Sequence, residues 1–258
     1  VTSSPRVVPS LLGVFGHPDD ESLLAGGVLA QLAAGHARTA VVTMTWAPGS
    51  PRATELADAL RVLGAGVPRM LGYGDARHPH AAPGRPRLVD APLEEVTAAL
   101  VRQIRSLRPD IVVTHDAVGQ PSVHPDHRYT HQVTLLAVNA AGHGQLYPDT
   151  GPLWQPAALY LATHPDSGTG NLGELLRRAS KSVLSVPDGL VSATVDVRPW
   201  MACKWAAILA HRSQVERERP LPGILSRLPE EIRHRVIDTE YYTLISLVQS
   251  PGMTRLAT

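Results

Sequence analysis

Two short stretches carry the residue types from which a catalytic metal site is built. The first, His17-Pro18-Asp19-Asp20-Glu21, follows the apolar run Leu11-Leu12-Gly13-Val14-Phe15 and opens into Ser22-Leu23-Leu24-Ala25. The second, His124-Pro125-Asp126-His127, comes after Asp110-Ile111-Val112-Val113-Thr114-His115. Imidazole with carboxylate is the ligand chemistry of catalytic zinc or ferrous iron, and three protein ligands leave one coordination position open. The two stretches hold more acids and rings than three ligands require. A carboxylate therefore remains for proton transfer and an imidazole for stabilising an oxyanion. The rival reading is capping: Asp20 or Asp126 at a helix start satisfies orphan N–H groups, and the helix dipole favours acids there. His17 beside two adjacent aspartates is harder to explain by capping alone. Asp126 reads as an N-cap or as a residue orienting a histidine, rather than as a ligand. His127 and His131 have the i, i+4 spacing of a helical zinc pair, but Arg128 stands where the metalloprotease arrangement needs Glu. His131 is therefore expected in helix packing and His115 as polar lining at a strand end.

To act together, these stretches must sit at neighbouring strand ends, since ligands of an open parallel sheet bind at the carboxyl ends of its strands. The apolar runs at residues 11–15, 38–45, 68–71, 110–114 and 157–162 read as strands covered on both faces. Helices fit between them: from about Asp20 to Gly35, from Ser50-Pro51 to Leu63 with Gly64 as stop, from Asp90 onward, and after His127. Leu93, Val96, Leu100, Val101, Ile104 and Leu107 follow three-four spacing. Residues 73–86 form a loop rich in Gly, Pro, His and Arg, a length that usually signals function or mobility. Beyond a flexible loop at 168–173, residues 183–186 and 193–197 read as further strands, with antiparallel pairing open to them. A helix is expected at 199–215, another at 230–236, and 240–248 fits either type. The expected fold class is α/β: a Rossmann-like three-layer α/β/α sandwich with a mostly parallel sheet and extra C-terminal strands and helices. One domain is expected over 1–258, its core with the metal site in 1–165 and a C-terminal addition in 166–258.

Composition removes several classes. A formal charge of +1 and 4% aromatic residues argue against a nucleic-acid partner. One cysteine, Cys203, allows neither an internal disulfide nor a cysteine-rich metal cluster. No run is apolar and long enough to span a membrane, and no basic segment precedes a hydrophobic signal core. The expected location is cytoplasmic. The turn after residue 15 lacks G-x-G-x-x-G, against dinucleotide binding.

The paired stretches resemble the two signature motifs of the PIG-L/LmbE-like N-deacetylases, metal-dependent enzymes that remove acyl groups from amino sugars. The resemblance runs from about Leu11 to Gln214, densely around the motifs. It implies Zn2+, with Fe2+ as alternative, on His17, Asp20 and His127. It implies Asp19 as general base and His124 as the residue that stabilises the oxyanion or protonates the leaving amine. Arg52 and Asp75 match positions that touch substrate, their other reading being a surface ion pair; Trp46, near the mouth of the second strand, is placed to stack on a sugar. Ala210-His211-Arg212-Ser213-Gln214 also resembles the family and receives no role. Two departures, Ala47-Pro48-Gly49-Ser50 in place of Gly-Glu and Ser122-Val123 in place of Tyr-Gly, lead away from the mycothiol precursor. The expected substrate is a small-molecule acylated amino-sugar glycoside on a natural product, such as a glycopeptide antibiotic intermediate. The rival functions are an amidase of a thiol or sugar conjugate and a non-catalytic sugar-binding protein. No oligomeric state is implied.

Overall fold

The computed structural model describes residues 8–120, 122–178 and 184–248. Seven strands form one sheet in the order β3-β2-β1-β4-β5-β7-β6. The first five, β1 (Leu11–Phe15), β2 (Thr39–Thr45), β3 (Arg69–Tyr73), β4 (Ile111–His115) and β5 (Ala158–Thr163), run parallel. β6 (Ala193–Asp196) and β7 (Thr239–Ser246) are antiparallel additions: β7 pairs with β5, and β6 with β7. The helices are α1 (Asp20–Ala34), α2 (Pro51–Leu63), α3 (Leu93–Leu107), α4 (Pro125–Ala140), α5 (Thr169–Arg178), α6 (Met201–Ala210), α7 (Arg212–Val215), α8 (Leu221–Ser226) and α9 (Glu230–Ile237).

The period-two alternation of a strand explains the layers. Leu12 and Val14 of β1 face a core shared with Val96, Leu100 and Ile104 of α3 and Val133 and Ala137 of α4. Leu11 and Phe15 face the opposite core, with Leu24 and Leu29 of α1, Leu56 and Leu60 of α2 and Ala207 of α6. Both faces of the sheet are therefore covered, which is why its central strands read as unbroken apolar runs. On α3 the apolar stripe is shorter than its spacing suggests, since Leu93 is exposed. Arg105 on the same helix is buried, and its guanidinium donates to the carbonyls of Ala140, Ala141, His143, Leu146 and Tyr147, closing the end of α4.

α2 starts where capping chemistry places it, whereas α3 starts at Leu93, past the expected Asp90. Ser50 accepts from the Ala53 N–H ahead of Pro51, and Gly64 ends α2 in the left-handed region at φ 69°. Several elements differ from the expected bounds. α4 begins at Pro125, so His127 lies inside its first turn, with His124 as N-cap. Residues 169–178 are helical, which covers most of the flexible loop expected at 168–173. The expected helix at 199–215 breaks at His211, whose φ −78° and ψ 59° leave the helical region and separate α6 from α7. Residues 240–248, open to either type, are mostly strand. Of the expected strand at 183–186, residue 183 is outside the described residues, and Val186 makes one isolated bridge to Pro165.

β1 is the switch point of the sheet. β2 and β3 extend to one side of it and β4 and β5 to the other. The loops leaving β1 and β4 part there, opening a crevice above the two strand ends. Both motif stretches leave from those ends.

Candidate metal centre and active site

Close approach of backbone builds the floor of the crevice. A side chain at Gly16 would bring its Cβ to 2.9 Å from Cδ2 of His127, so only glycine lets the β1 turn pass beneath that ring. The Gly16 N–H donates to Nε2 of His115 at 3.0 Å, and the Nδ1–H of His115 donates to the Gln120 carbonyl at 3.0 Å. His115 is fully buried, stacked on His127 with centroids 4.0 Å apart. Burial, then the neighbouring His127 ring, holds it down to about 4. It supports the ring above rather than lining the cavity; its place at the end of β4 is as expected, its role as lining is not. His131 donates from Nδ1 to the His115 carbonyl at 2.9 Å, a packing contact as expected.

Hydrogen bonds fix the tautomers of the two motif histidines. Nδ1–H of His127 faces the Gly119 carbonyl at 3.3 Å, leaving Nε2 bare. Nε2–H of His17 donates to Oδ2 of Asp126 at 3.0 Å, leaving Nδ1 bare. The two bare nitrogens are 3.0 Å apart, and each lies 3.3 Å from Oδ2 of Asp20. Tetrahedral zinc with bonds of 2.0–2.1 Å has ligand–ligand edges of about 3.3–3.4 Å. The donor triangle of His17, Asp20 and His127 therefore fits a divalent cation, and all three residues are buried. The local charge agrees. Burial would raise the Asp20 carboxyl, but the rings of His127 and His115 outweigh it and hold it well below the usual range. Asp126 is fully buried, accepts also from the Ala76 N–H at 2.9 Å, and orients His17 in the manner of a carboxylate behind a metal-bound histidine.

The remaining expected residues surround this triangle. Asp19 has φ 125°, a positive value that side-chain-bearing residues rarely adopt. Its Oδ1 lies 3.1 Å from Nη2 of Arg52, on the first turn of α2. Burial pushes the Asp19 carboxyl up, and the Arg52 charge opposes the rise. Nε of Arg52 has no hydrogen-bond partner among the described residues, so a donor remains for a ligand. His124 accepts the Asp126 N–H at Nδ1, 3.3 Å, which places its proton on Nε2, 3.7 Å from Oδ1 of Asp75. Burial, then the neighbouring rings of His17 and His127, holds His124 down to about 2. Asp75, just past β3, spans the gap between His124 and His17, whose Nε2 is 3.4 Å from Oδ2. Arg52 and Asp75 are thus both buried, and neither belongs to a surface pair.

A cavity of about 570 Å³ opens over these groups, lined by His17, Asp19, Asp20, Arg52, Asp75, His124 and His127. Trp46 is not on it. With φ 72° and its ring 4.9 Å from the Arg52 guanidinium, Trp46 lines an adjoining cavity of about 290 Å³ with His78, His80, Ala81 and Arg217. His78 and Arg217 border both.

Sequence reasoning missed two features. Gln214, Arg217, Arg219 and Pro220–Pro222 form one wall of the main cavity; the signal was a charged, proline-broken loop with no packing role. Glu21 and His211 form a fully buried pair, Oε1 to Nε2 2.7 Å, directly behind Asp19. Burial would raise Glu21, but His211 holds it below its ordinary value, and Glu21 in turn raises His211 against burial. The signal was a lone histidine at the end of an apolar helix.

Residues 12–138 match the family model described as GlcNAc-PI de-N-acetylase. The chain is 38% identical to a 1D-myo-inositol 2-acetamido-2-deoxy-alpha-D-glucopyranoside deacetylase of Rhodococcus jostii, over 91% of each chain. The conserved protein TT1542 from Thermus thermophilus superposes with a TM-score of 0.64 at 25% identity, covering 96% of this chain and 99% of that one. The A40926 pseudoaglycone deacetylase Dbv21 gives a TM-score of 0.58 at 22% identity over 94% and 100%. At that identity the antibiotic-pathway protein shares the fold alone. The expected tilt toward antibiotic intermediates therefore has no specific support, and the likeness in sequence lies with the inositol glycoside enzymes.

Proposed function

The chain belongs to the PIG-L/LmbE-like de-N-acetylase family, and we propose that its substrate is an N-acetylglucosaminyl glycoside of an inositol-like polyol. The protein is an N-acetylglucosaminyl deacetylase with a buried His/Asp cluster suited to a divalent metal. Among the described residues no helix is long and apolar enough to cross a membrane. The observation that carries the reading is the donor triangle of His17, Asp20 and His127, open to the same cavity as Asp19 and His124.

We assign the metal ligands to that triangle and Zn2+ as the ion, with Fe2+ as the alternative. A bound zinc ion supplies Lewis acidity and lowers the pKa of water to about 7. Asp19, raised by burial, accepts a proton from the attacking water. Arg52 limits that rise and aims the carboxylate. The neutral Nε2–H of His124 donates to the oxyanion as the amide carbon becomes tetrahedral. The proton taken by Asp19 is then delivered to the departing amine. Asp75, fixed by the N–H groups of Arg77 and His78 at 2.7 and 3.1 Å, offers a carboxylate to sugar hydroxyls.

A second reading, a bulkier natural-product aglycone, is favoured by the adjoining cavity with Trp46. Acetate release from N-acetylglucosaminyl inositol, compared with release from N-acetylglucosaminyl glycosides of large aromatic aglycones, separates the two. Release of other acyl groups instead of acetate would favour an amidase of another conjugate. No amine product from any N-acylglucosaminyl substrate in zinc-loaded protein would end the deacetylase reading.

A further inference from the structure

Asp19 is held in an unfavourable backbone conformation, φ 125° and ψ −26°, and a residue kept there needs its surroundings to enforce it. One hydrogen bond does so directly: the Asp19 N–H donates to Oε2 of Glu21 at 2.9 Å. The other oxygen, Oε1, accepts from Nε2 of His211 at 2.7 Å and from the Ser22 hydroxyl at 2.6 Å. Glu21 and His211 are fully buried and neither lines the cavity, so neither touches substrate.

His211 is itself tied down. It occupies the break between α6 and α7, and two residues on, Ser213 donates from its backbone N–H and its hydroxyl to Glu55 of α2 at 2.7 and 2.8 Å. α2 carries Arg52, which faces the Asp19 carboxylate. One corner of the C-terminal segment thus braces both the backbone behind Asp19 and the helix that supplies its counter-charge.

We propose that Glu21 and His211 are positioning residues that hold Asp19 in its strained conformation, aiming its carboxylate into the cavity. The proposal rests on Asp19 acting as the base. The strut gives the break at His211 a purpose: a continuous helix would carry the ring out of line with Glu21.

The test uses the whole chain, loaded with zinc. Glu21→Ala and His211→Ala should each lower kcat at least about tenfold, as a displaced reacting group does, with KM and zinc content little changed. Glu21→Gln, which keeps an acceptor for the Asp19 N–H, should recover most of the kcat lost in Glu21→Ala. In an Asp19→Asn background, Glu21→Ala should cost nothing further. A loss of equal size in that background, or one that tracks zinc content, would overturn the proposal, as would unchanged kcat in the single variants. Amide hydrogen exchange across residues 16–23 supplies a readout independent of turnover. It should accelerate at Asp19 in Glu21→Ala and remain slow in Glu21→Gln; unchanged protection in Glu21→Ala refutes the strut. If the wild type deacetylates no N-acetylglucosaminyl substrate, the functional reading fails while the exchange experiment still decides the strut.

Discussion

Asp126→Asn isolates the role of a residue that acts through His17, one corner of the donor triangle. The wild-type carboxylate is fully buried; Oδ2 accepts from Nε2–H of His17 at 3.0 Å and from the Ala76 N–H at 2.9 Å, while Oδ1 has no partner among the described residues. An asparagine oxygen in place of Oδ2 preserves both contacts but removes the charge that strengthens His17 as a ligand. Loss of such a partner lowers metal affinity by about 10–100-fold. Asp75 Oδ2, 3.4 Å from the same His17 nitrogen, is a reserve acceptor that limits the loss. The expectation is the lower part of that range, about 10–30-fold or 1.4–2 kcal/mol. The new amide NH2 falls where Oδ1 has no partner, so a buried unsatisfied donor should also cost about 1–3 kcal/mol of stability. The two effects are read separately: zinc affinity by competition with a chromogenic chelator, stability by urea unfolding of the metal-free protein. Asp75→Asn combined with Asp126→Asn should lose more affinity than the sum of the two single changes, since each backs up the other. Zinc affinity within about twofold of wild type in folded Asp126→Asn, far inside the expected loss, would refute the reasoning.

The other predictions concern the site, its mouth and the fold. Chelation should abolish acetate release and added zinc restore it; full activity in protein shown metal-free by elemental analysis would remove the metal from the chemistry. Asp19→Asn should keep its metal and lose at least ~10²-fold in kcat, whereas Asp20→Ala should lose metal, and the reverse pattern would exchange the two roles. Shortening the 73–86 loop, with folding and metal content verified, should raise KM for a large glycoside more than for free N-acetylglucosamine; equal effects would count against aglycone recognition. Burial, then the Lys204 charge, holds His164 down to about 4, below the 6.5 of a free imidazole. Between those values the unfolded chain binds a proton that the folded one does not, so stability falls as pH drops through the window, by at most ~1.4 kcal/mol per unit. His164→Gln should flatten that part of the urea-midpoint profile, and an unchanged profile would show that other groups set it.

The parallel core was legible because its signals are local. β1 reads directly from Leu11–Phe15, and α2 from Ser50-Pro51 and Gly64, since apolar runs, caps and stop residues act over a few positions. The motif residues were legible for a different reason: His17, Asp19, Asp20, His124 and His127 cluster in two short stretches whose residue types have few other uses. The break at His211 was not legible, because no Gly or Pro marks it anywhere between residues 201 and 215. What competes with the helix there is a hydrogen bond to Glu21, 190 residues away in the chain.

Residue types and spacing thus determined the chemistry available and the elements that would carry it. Only the tertiary structure decided the geometry. It took the switch point at β1 to bring Nδ1 of His17 within 3.0 Å of Nε2 of His127, and burial to divide the carboxylates, Asp20 held ionised by rings and Asp19 raised beside Arg52. It also moved Trp46 to a neighbouring cavity and made His115 a support beneath His127. The physical reason is that ionisation and ligation depend on what surrounds a group in three dimensions. For these residues the surroundings come from distant chain segments: Arg52 for Asp19, and His211, 190 residues on, for Glu21.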